Sequence, residues 1–301
     1  MLYNFRHKLN ATYYNIMCNK ITSTPPLKTI NSPLRIVTML QHQDLKMYLL
    51  ASKSLYQFIQ QGTFILINDG SLTRGDLELL DEHLDEPEII SIGEITTGRL
   101  PRGGCWERLI KILELASEYY VIQLDADTLT LAQIPEVLGA YRENTAFTLG
   151  TKMGQSIISF SEASELVADV DSTHVQVVAE KQFRTLAPQE CGHYVRGGAA
   201  FAGFPRGMHA RDSLEWFSSE LESRIGKQWR EWGSEQVASN FIVANARNST
   251  VLPYPKYASY EPTNSYEGSA FLHFLGSHRF TKGTYLRYSK RSIAGLLDSH
   301  S

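Results

Sequence analysis

The chain has 301 residues, 43% of them hydrophobic and 20% charged, the balance of one or two folded domains rather than of a disordered, collagen-like or coiled-coil chain. Twenty-nine Lys and Arg against 32 Asp and Glu give a formal charge of −3, which argues against a nucleic-acid partner. Three scattered cysteines, Cys18, Cys105 and Cys191, exclude a disulfide framework and point to a reducing, cytoplasmic setting. No apolar run reaches the roughly 18 residues of a membrane span, and no signal peptide is expected.

From Met1 to Gln43 there is no Asp or Glu, while Arg6, Lys8, Lys20, Lys28 and Arg35 are basic. Residues 1–32 read as a basic leader, poorly ordered or strapped onto the domain. Peripheral contact with an anionic membrane, anchored by Tyr3, Phe5, Tyr13 and Tyr14, is the second reading. Thr24-Pro25-Pro26 and Ser32-Pro33 mark a linker. Leu34 to Met39 is then a buried strand. Asp44 to Gln60 is a helix, with Leu45, Tyr48, Leu49, Ser52, Leu55, Tyr56 and Ile59 near one face. Thr63 to Ile67 is a second strand, closed by the turn Asn68-Asp69-Gly70-Ser71. Thr73 to His83 is an acidic helix, Glu88 to Ile92 a third strand, Trp106 to Ser117 a helix, and Tyr119 to Leu124 a strand. This alternation predicts an α/β fold with a mainly parallel sheet flanked by helices, and ligands beyond the carboxyl ends of the strands. The second half is less regular and mixed. Phe147 to Leu149 and Val175 to Val178 are expected strands. Ala210 to Arg224 and Ser234 to Ala246 are expected helices, the latter N-capped by Ser234. Phe271 to Phe274 is a short strand.

The chemistry concentrates where the strand Val121-Ile122-Gln123-Leu124 runs out into Asp125-Ala126-Asp127. Two carboxylates one residue apart face the same way along a strand, or converge where it bends. Unpartnered charge there is costly. A hard divalent cation that bridges carboxylates to phosphate oxygens resolves that cost. Two other readings stay open at this point: capping aspartates in a solvated loop, and an aspartyl phosphatase whose first Asp attacks phosphorus. Leu129 stands where the phosphatase motif has Thr or Val. The second feature is His273-Phe274-Leu275-Gly276-Ser277-His278-Arg279. His273 offers a neutral nitrogen to a metal, Gly276 allows close phosphate approach, and Arg279 can hold a diphosphate.

These two segments together resemble glycosyltransferase family 8, whose members carry a strand ending in Asp-x-Asp and a later His-Phe-x-Gly-x-x-Lys. The resemblance runs from about Leu34 to Arg279. Leu45 to Leu55 is similar to the family's first helix. Gly192 to Gly198 stands at its Phe-Asn-Ala-Gly, Gly233-Ser234-Glu235-Gln236 with Asn240 at its Gly-Asp-Gln and following Asn, and Leu252-Pro253-Tyr254 at its Leu-Pro-Phe. It implies a GT-A-like, Rossmann-type fold and a retaining transfer of sugar from a nucleotide-diphosphate sugar, foremost a UDP-sugar, to a glycan or glycolipid hydroxyl. Residues 33–130 would be the nucleotide-binding half and 131–301 the acceptor half of one domain.

By the same resemblance Asp125, Asp127 and His273 would be ligands of a divalent metal, Mn²⁺ ahead of Mg²⁺. Thr38, Gln41, Asp69, Arg108, Ala126, Arg196, Gly197, Gly198, Gly276 and Arg279 would hold the donor. Glu235 and Gln236 would stand by the oxocarbenium-like sugar. Departures are Glu235 for the family's Asp, Arg196 for its Asn and Arg279 for its Lys. Asp69 in Asn68-Asp69-Gly70-Ser71 also resembles inverting family 2 enzymes, the alternative reading. A degenerate fold that only binds nucleotide or glycan is a third. The stretch 150–189, with Asp169, Asp171 and His174, would shape the acceptor side. Trp216, Trp229 and Trp232 read as buried core aromatics, and the basic run Lys282 to Arg291 as a partner of the leader at a membrane.

Overall fold

The computed structural model describes residues 2–186, 192–276 and 278–298, with residues 2–8 described by backbone alone. Cys191, Ser277 and the end of the 150–189 stretch lie outside the described residues. The chain forms two compact units. The first comprises Met1–Ser91, Leu124–Pro135 and Pro255–Ser301, and the second Ile92–Gln123 and Glu136–Tyr254.

In chain order, the first unit opens with α1 (Leu2–Cys18), β1 (Leu34–Leu40), α2 (Leu45–Ile59), β2 (Thr63–Asn68), α3 (Arg74–Leu84) and β3 (Glu88–Ser91). The second adds α4 (Trp106–Ala116) and β4 (Tyr120–Leu124), and the first regains β5 (Thr128–Thr130). After α5 (Pro135–Glu143), the second unit carries β6 (Phe147–Leu149), β7 (Ile158–Ser159), α6 (Phe160–Leu166), α7 (Val175–Gln182), β8 (His193–Tyr194) and β9 (Gly198–Phe204). It ends with α8 (Arg211–Ile225), α9 (Ser234–Ala244) and β10 (Thr250–Leu252), and the first unit closes with β11 (Tyr257–Ser259), β12 (Phe271–His273) and α10 (Thr284–Asp298). The α/β class with a mainly parallel sheet flanked by helices, expected from the alternation, is the architecture found.

In the first unit β1, β2 and β3 are parallel neighbours, with Thr38 opposite Leu66 and Ile67 opposite Ile90. The apolar runs of β1 and β2 follow from burial on both faces, while the edge strand β3 leaves Glu88, Ile89 and Ser91 exposed. All the residues expected on the inner face of α2 are buried. Thr73 and Asp76 cap α3 reciprocally, which fixes its start. A second, three-stranded sheet has the order β11-β12-β5, and its antiparallel β12–β5 pair sets His273 opposite Thr128. The leader carries a helix in this unit. Tyr14 of α1 is buried and stacks on Tyr285 of α10 at 4.5 Å, while Leu9, Tyr13 and Ile16 face outward. No helix among the described residues is long and apolar enough to cross a membrane.

In the second unit the strand order is β10-β6-β9-β4, with β6 and β9 antiparallel. Its core is aromatic: Phe217 stacks on Phe241 at 4.0 Å, and Trp229 meets both Trp106 and Phe217 edge-on.

Three expectations are corrected here. Val175–Val178 is not a strand but the start of α7, capped by His174, whose Nδ1 accepts the Gln176 N–H. Ser234 is not the N-cap of α9. Gly233, at φ 101°, holds that place, a conformation glycine adopts freely, and Ser234 Oγ instead accepts the Trp106 indole N–H at 2.9 Å. Trp229 is buried as expected, but Trp232 is 72% exposed.

Candidate active site

The first unit brings Asp125, Asp127 and His273 together. β4 ends at Leu124, the chain turns through Asp125-Ala126-Asp127, and β5 begins at Thr128. The Thr128 hydroxyl donates to the Asp125 carbonyl at 2.7 Å, and the Phe274 N–H donates to the Asp127 carbonyl at 2.8 Å. The turn is thereby pinned to the end of β12 that carries His273. One donor atom from each of the three side chains lies within 4.8 Å of the others.

The charges around Asp127 are tightly arranged. Its Oδ1 is 3.4 Å from His273 Nε2, and its Oδ2 accepts from Arg279 Nη2 at 2.6 Å. Burial opposes ionisation of Asp127, yet His273 and Arg279 outweigh it and hold the carboxyl down to about 2. For His273, burial lowers the pKa and the Asp127 charge, acting against it, leaves it raised. Ser259 Oγ lies 3.2 Å from His273 Nδ1. With the Nδ1 proton donated to Ser259, Nε2 is left bare for a metal, the usual arrangement of a ligating histidine. Two carboxylates and one imidazole suit a divalent cation.

Arg279 also lies 3.5 Å from Asp44 Oδ1 and donates to the Phe274 carbonyl. Asp44, just before α2, and Ser259, on β11, are functional candidates that the sequence did not single out. Each comes from a remote stretch with no motif of its own. The Gln41 amide donates to Asp44 Oδ2 at 2.5 Å, which ties Gln41 to the same group. A Cβ on Gly276 would meet no described atom within 4 Å, so the backbone there is open to a ligand. Thr38 is buried within β1, and its hydroxyl donates to the Met39 carbonyl. Asp69 Oδ1 accepts from both Ser71 N–H and Ser71 Oγ, an aspartate turn.

The second unit gathers a further set. Arg108 Nη2 and Glu235 Oε1 are 3.5 Å apart, and both side chains are buried. The Gln236 amide donates to Gln176 Oε1 at 3.3 Å, and the Gln176 amide donates to Glu180 Oε1 at 2.8 Å. Arg196 Nε donates to both Glu180 oxygens, at 3.1 and 3.0 Å. Burial pushes the Glu180 carboxyl up, against the pull of Arg196. Thus Gln236 and Arg196 are joined through Gln176 and Glu180, one helical turn apart on α7. The Asn240 amide donates to the Gly197 carbonyl at 2.9 Å, and a Cβ on Gly197 would sit 2.8 Å from Thr148 Oγ1. Gly197 therefore answers a close strand approach. A Cβ on Gly198 would meet Leu149 at an ordinary 3.5 Å.

No family model and no curated protein matches the chain. Solved structures do. The glycosyltransferase GlyE of Streptococcus pneumoniae TIGR4 superposes with a TM-score of 0.50 at 10% identity, over 91% of this chain and 63% of that one. The fold is the GT-A glycosyltransferase fold. The galactosyltransferase LgtC, solved with donor and acceptor sugar analogs, gives a TM-score of 0.47 at 11% identity over 88% of this chain and 95% of that one. Mouse xyloside xylosyltransferase 1, in its apo form, gives 0.46 at 12% over 83% and 99%. At such identities the likeness speaks for the fold alone, and the roles of residues rest on the geometry.

Proposed function

We propose that the chain is a metal-dependent, retaining glycosyltransferase that moves a sugar from a nucleotide-diphosphate sugar, foremost a UDP-sugar, to a hydroxyl of a glycan or glycolipid. The observation that carries the reading is the Asp125–Asp127–His273 group with Arg279 at its edge, on a GT-A fold. When bound there, a divalent cation supplies the charge that stabilises the departing diphosphate. Arg279 adds charge-assisted hydrogen bonds to the same phosphate oxygens, with Asp44 retained as its second carboxylate. The open backbone at Gly276 lets those oxygens approach.

In the transfer the bond between the anomeric carbon and the diphosphate oxygen breaks, and its electron pair leaves with the diphosphate. A bond to the acceptor oxygen forms on the same face, and the acceptor proton passes to the leaving diphosphate. Glu235 and Gln236 are the groups proposed to stabilise the oxocarbenium-like sugar, with Arg108 holding the Glu235 carboxylate in place.

The test is release of nucleotide diphosphate from a panel of UDP-sugars with Mn²⁺, for the native chain and Asp127→Ala. Loss of at least about a hundredfold in kcat for the variant is expected, in line with removing one electrostatic stabiliser. Equal rates, or rates indifferent to a chelator, overturn the metal reading. An inverted anomeric centre in the product would move the assignment to the inverting, family 2-like alternative. Nucleotide binding without turnover would favour a degenerate, binding-only fold.

A further inference from the structure

The first unit contains a cavity of about 830 Å³ that the proposed transfer does not use. Its walls come from the end of α2, the exit of β5, the 260–269 loop and α10. It lies away from the metal group along the same small sheet. Thr128 pairs with His273 at one end of β5, whereas Thr130, at its other end, and the following Leu131 and Ala132 line the cavity. One strand residue spans about 3.3 Å.

The charge of this cavity is one-sided. Lys282, Arg287 and Arg291 line it against a single carboxylate, Glu267. The stretch from Gly268 to Leu297 contains no Asp or Glu. Helix α10 has two working faces. Tyr285, Ser289, Ile293 and Leu296 are buried in the unit, and Thr284, Arg287, Tyr288, Arg291, Ser292 and Gly295, at helical spacing, form a cavity wall. Arg287 and Arg291 are exposed, and among the described residues no ion pair engages either. Arg287 lies over the Tyr288 ring, 5.5 Å from its centroid.

We propose that this cavity is an anion site for a phosphate ester, distinct from the metal group, with Arg287 and Arg291 binding the phosphate. The volume exceeds that of phosphate alone and falls in the range of pockets for small organic ligands. The rest of the ligand therefore fills the cavity beyond the two guanidinium groups. Two sources share this chemistry: a soluble phosphorylated compound and the headgroup of an anionic lipid.

The experiment uses the full chain, with a chelator present to keep phosphate off the metal group. Two probes are titrated: inorganic phosphate, followed by thermal shift, and vesicles of phosphatidylglycerol in phosphatidylcholine, followed by co-sedimentation. The variants are Arg287→Gln with Arg291→Gln, and separately Ser292→Glu, which places a carboxylate in the cavity and removes no cation. A control, Arg74→Gln with Arg184→Gln, makes the same charge change at two exposed arginines elsewhere. Native binding to at least one probe is expected. For vesicles, the double variant should weaken it about thirtyfold at low salt, from two lost basic residues. Ser292→Glu should weaken it as well, and the control should leave it near native. Protection by phosphate alone identifies a soluble ester, and binding to vesicles a headgroup. The proposal is overturned if the native chain binds neither probe, if the cavity variants bind like the native chain, or if the control loses as much as they do.

Discussion

Lys53 sits in the middle of α2 with no exposed surface. Its ammonium donates to Thr24 Oγ1 at 2.9 Å, to the Pro25 carbonyl at 2.6 Å and to His83 Nδ1 at 2.8 Å. One buried cation therefore fastens the Thr24-Pro25 strap to α2 and α3. Burial pushes its pKa down to about 8 from 10.5. A cation whose folded pKa is depressed is disfavoured by folding, fully so below the folded value, and that cost is relieved as pH rises towards the unfolded value. The native chain should thus gain roughly 2 kcal/mol relative to Lys53→Met between about pH 7.5 and pH 9.5. Taking the difference cancels the buried tyrosines, which titrate in both chains. Urea unfolding at the two pH values measures it, and parallel profiles would refute the role given to Lys53. The same scale shows what was legible in the sequence. Asp125, Asp127, His273 and Arg279 stood out because each lies in a short motif with a chemical meaning. Asp44, Ser259 and Glu180 did not, because their function comes from neighbours far along the chain: Arg279, His273 and Arg196.

Among the elements, the strands and helices from Leu34 to Leu124 were readable, since burial on one or two faces writes a regular period, whereas α1 in the leader was not. In the second unit α5, β7, α6, β8, β9 and β10 were not read, and α7 was read as a strand. Val175-Gln176-Val177-Val178 alternates and is β-branched, the pattern of a strand, yet it opens α7. The His174 cap and the burial of Val175, Val177, Ala179 and Glu180 on the helix override local propensity. The cost of the misreading was functional, because a helix brings Gln176 and Glu180 within one turn, where they bond each other and reach Gln236 and Arg196, while a strand would hold them far apart. Strand β9 was missed for the opposite reason: Gly198-Ala199-Ala200-Phe201-Ala202-Gly203 has little β-propensity. Its small residues answer close packing. A Cβ on Gly203 would run into the Phe147 ring and come within 2.6 Å of Tyr120 Oη. Gly203→Ala should therefore cost about 1–3 kcal/mol by overpacking, read as a lower urea midpoint with an unchanged slope. A variant as stable as the native chain would show that β6 and β4 yield easily at this point.

At the scale of the whole molecule, the chain enters the first unit three times, and the metal group draws on all three passes. Asp44 comes from the first, Asp125 and Asp127 from the second, and His273 and Arg279 from the third. Without ligands, Arg279 ties the three together through Asp44 and Asp127. It does so at Asp127 Oδ2, on the same carboxylate that would help hold a metal. Arg279 therefore opposes binding of the cation alone and favours it once a diphosphate is present to take over the guanidinium. Arg279→Gln should separate these effects with opposite signs. Its melting temperature without ligands should fall, because the three passes lose their common cation. Mn²⁺ alone should stabilise the variant more than the native chain, with the metal binding about tenfold tighter, the scale of one charge-assisted hydrogen bond released. UDP in the presence of Mn²⁺ should bind about tenfold more weakly, for the same bond now missing at the phosphate. Ligand at a hundred times its dissociation constant adds about 2.7 kcal/mol to a folded state, so thermal melts resolve both changes. If Mn²⁺ and UDP shift in the same direction, Arg279 is a structural partner of Asp127 and not a phosphate ligand.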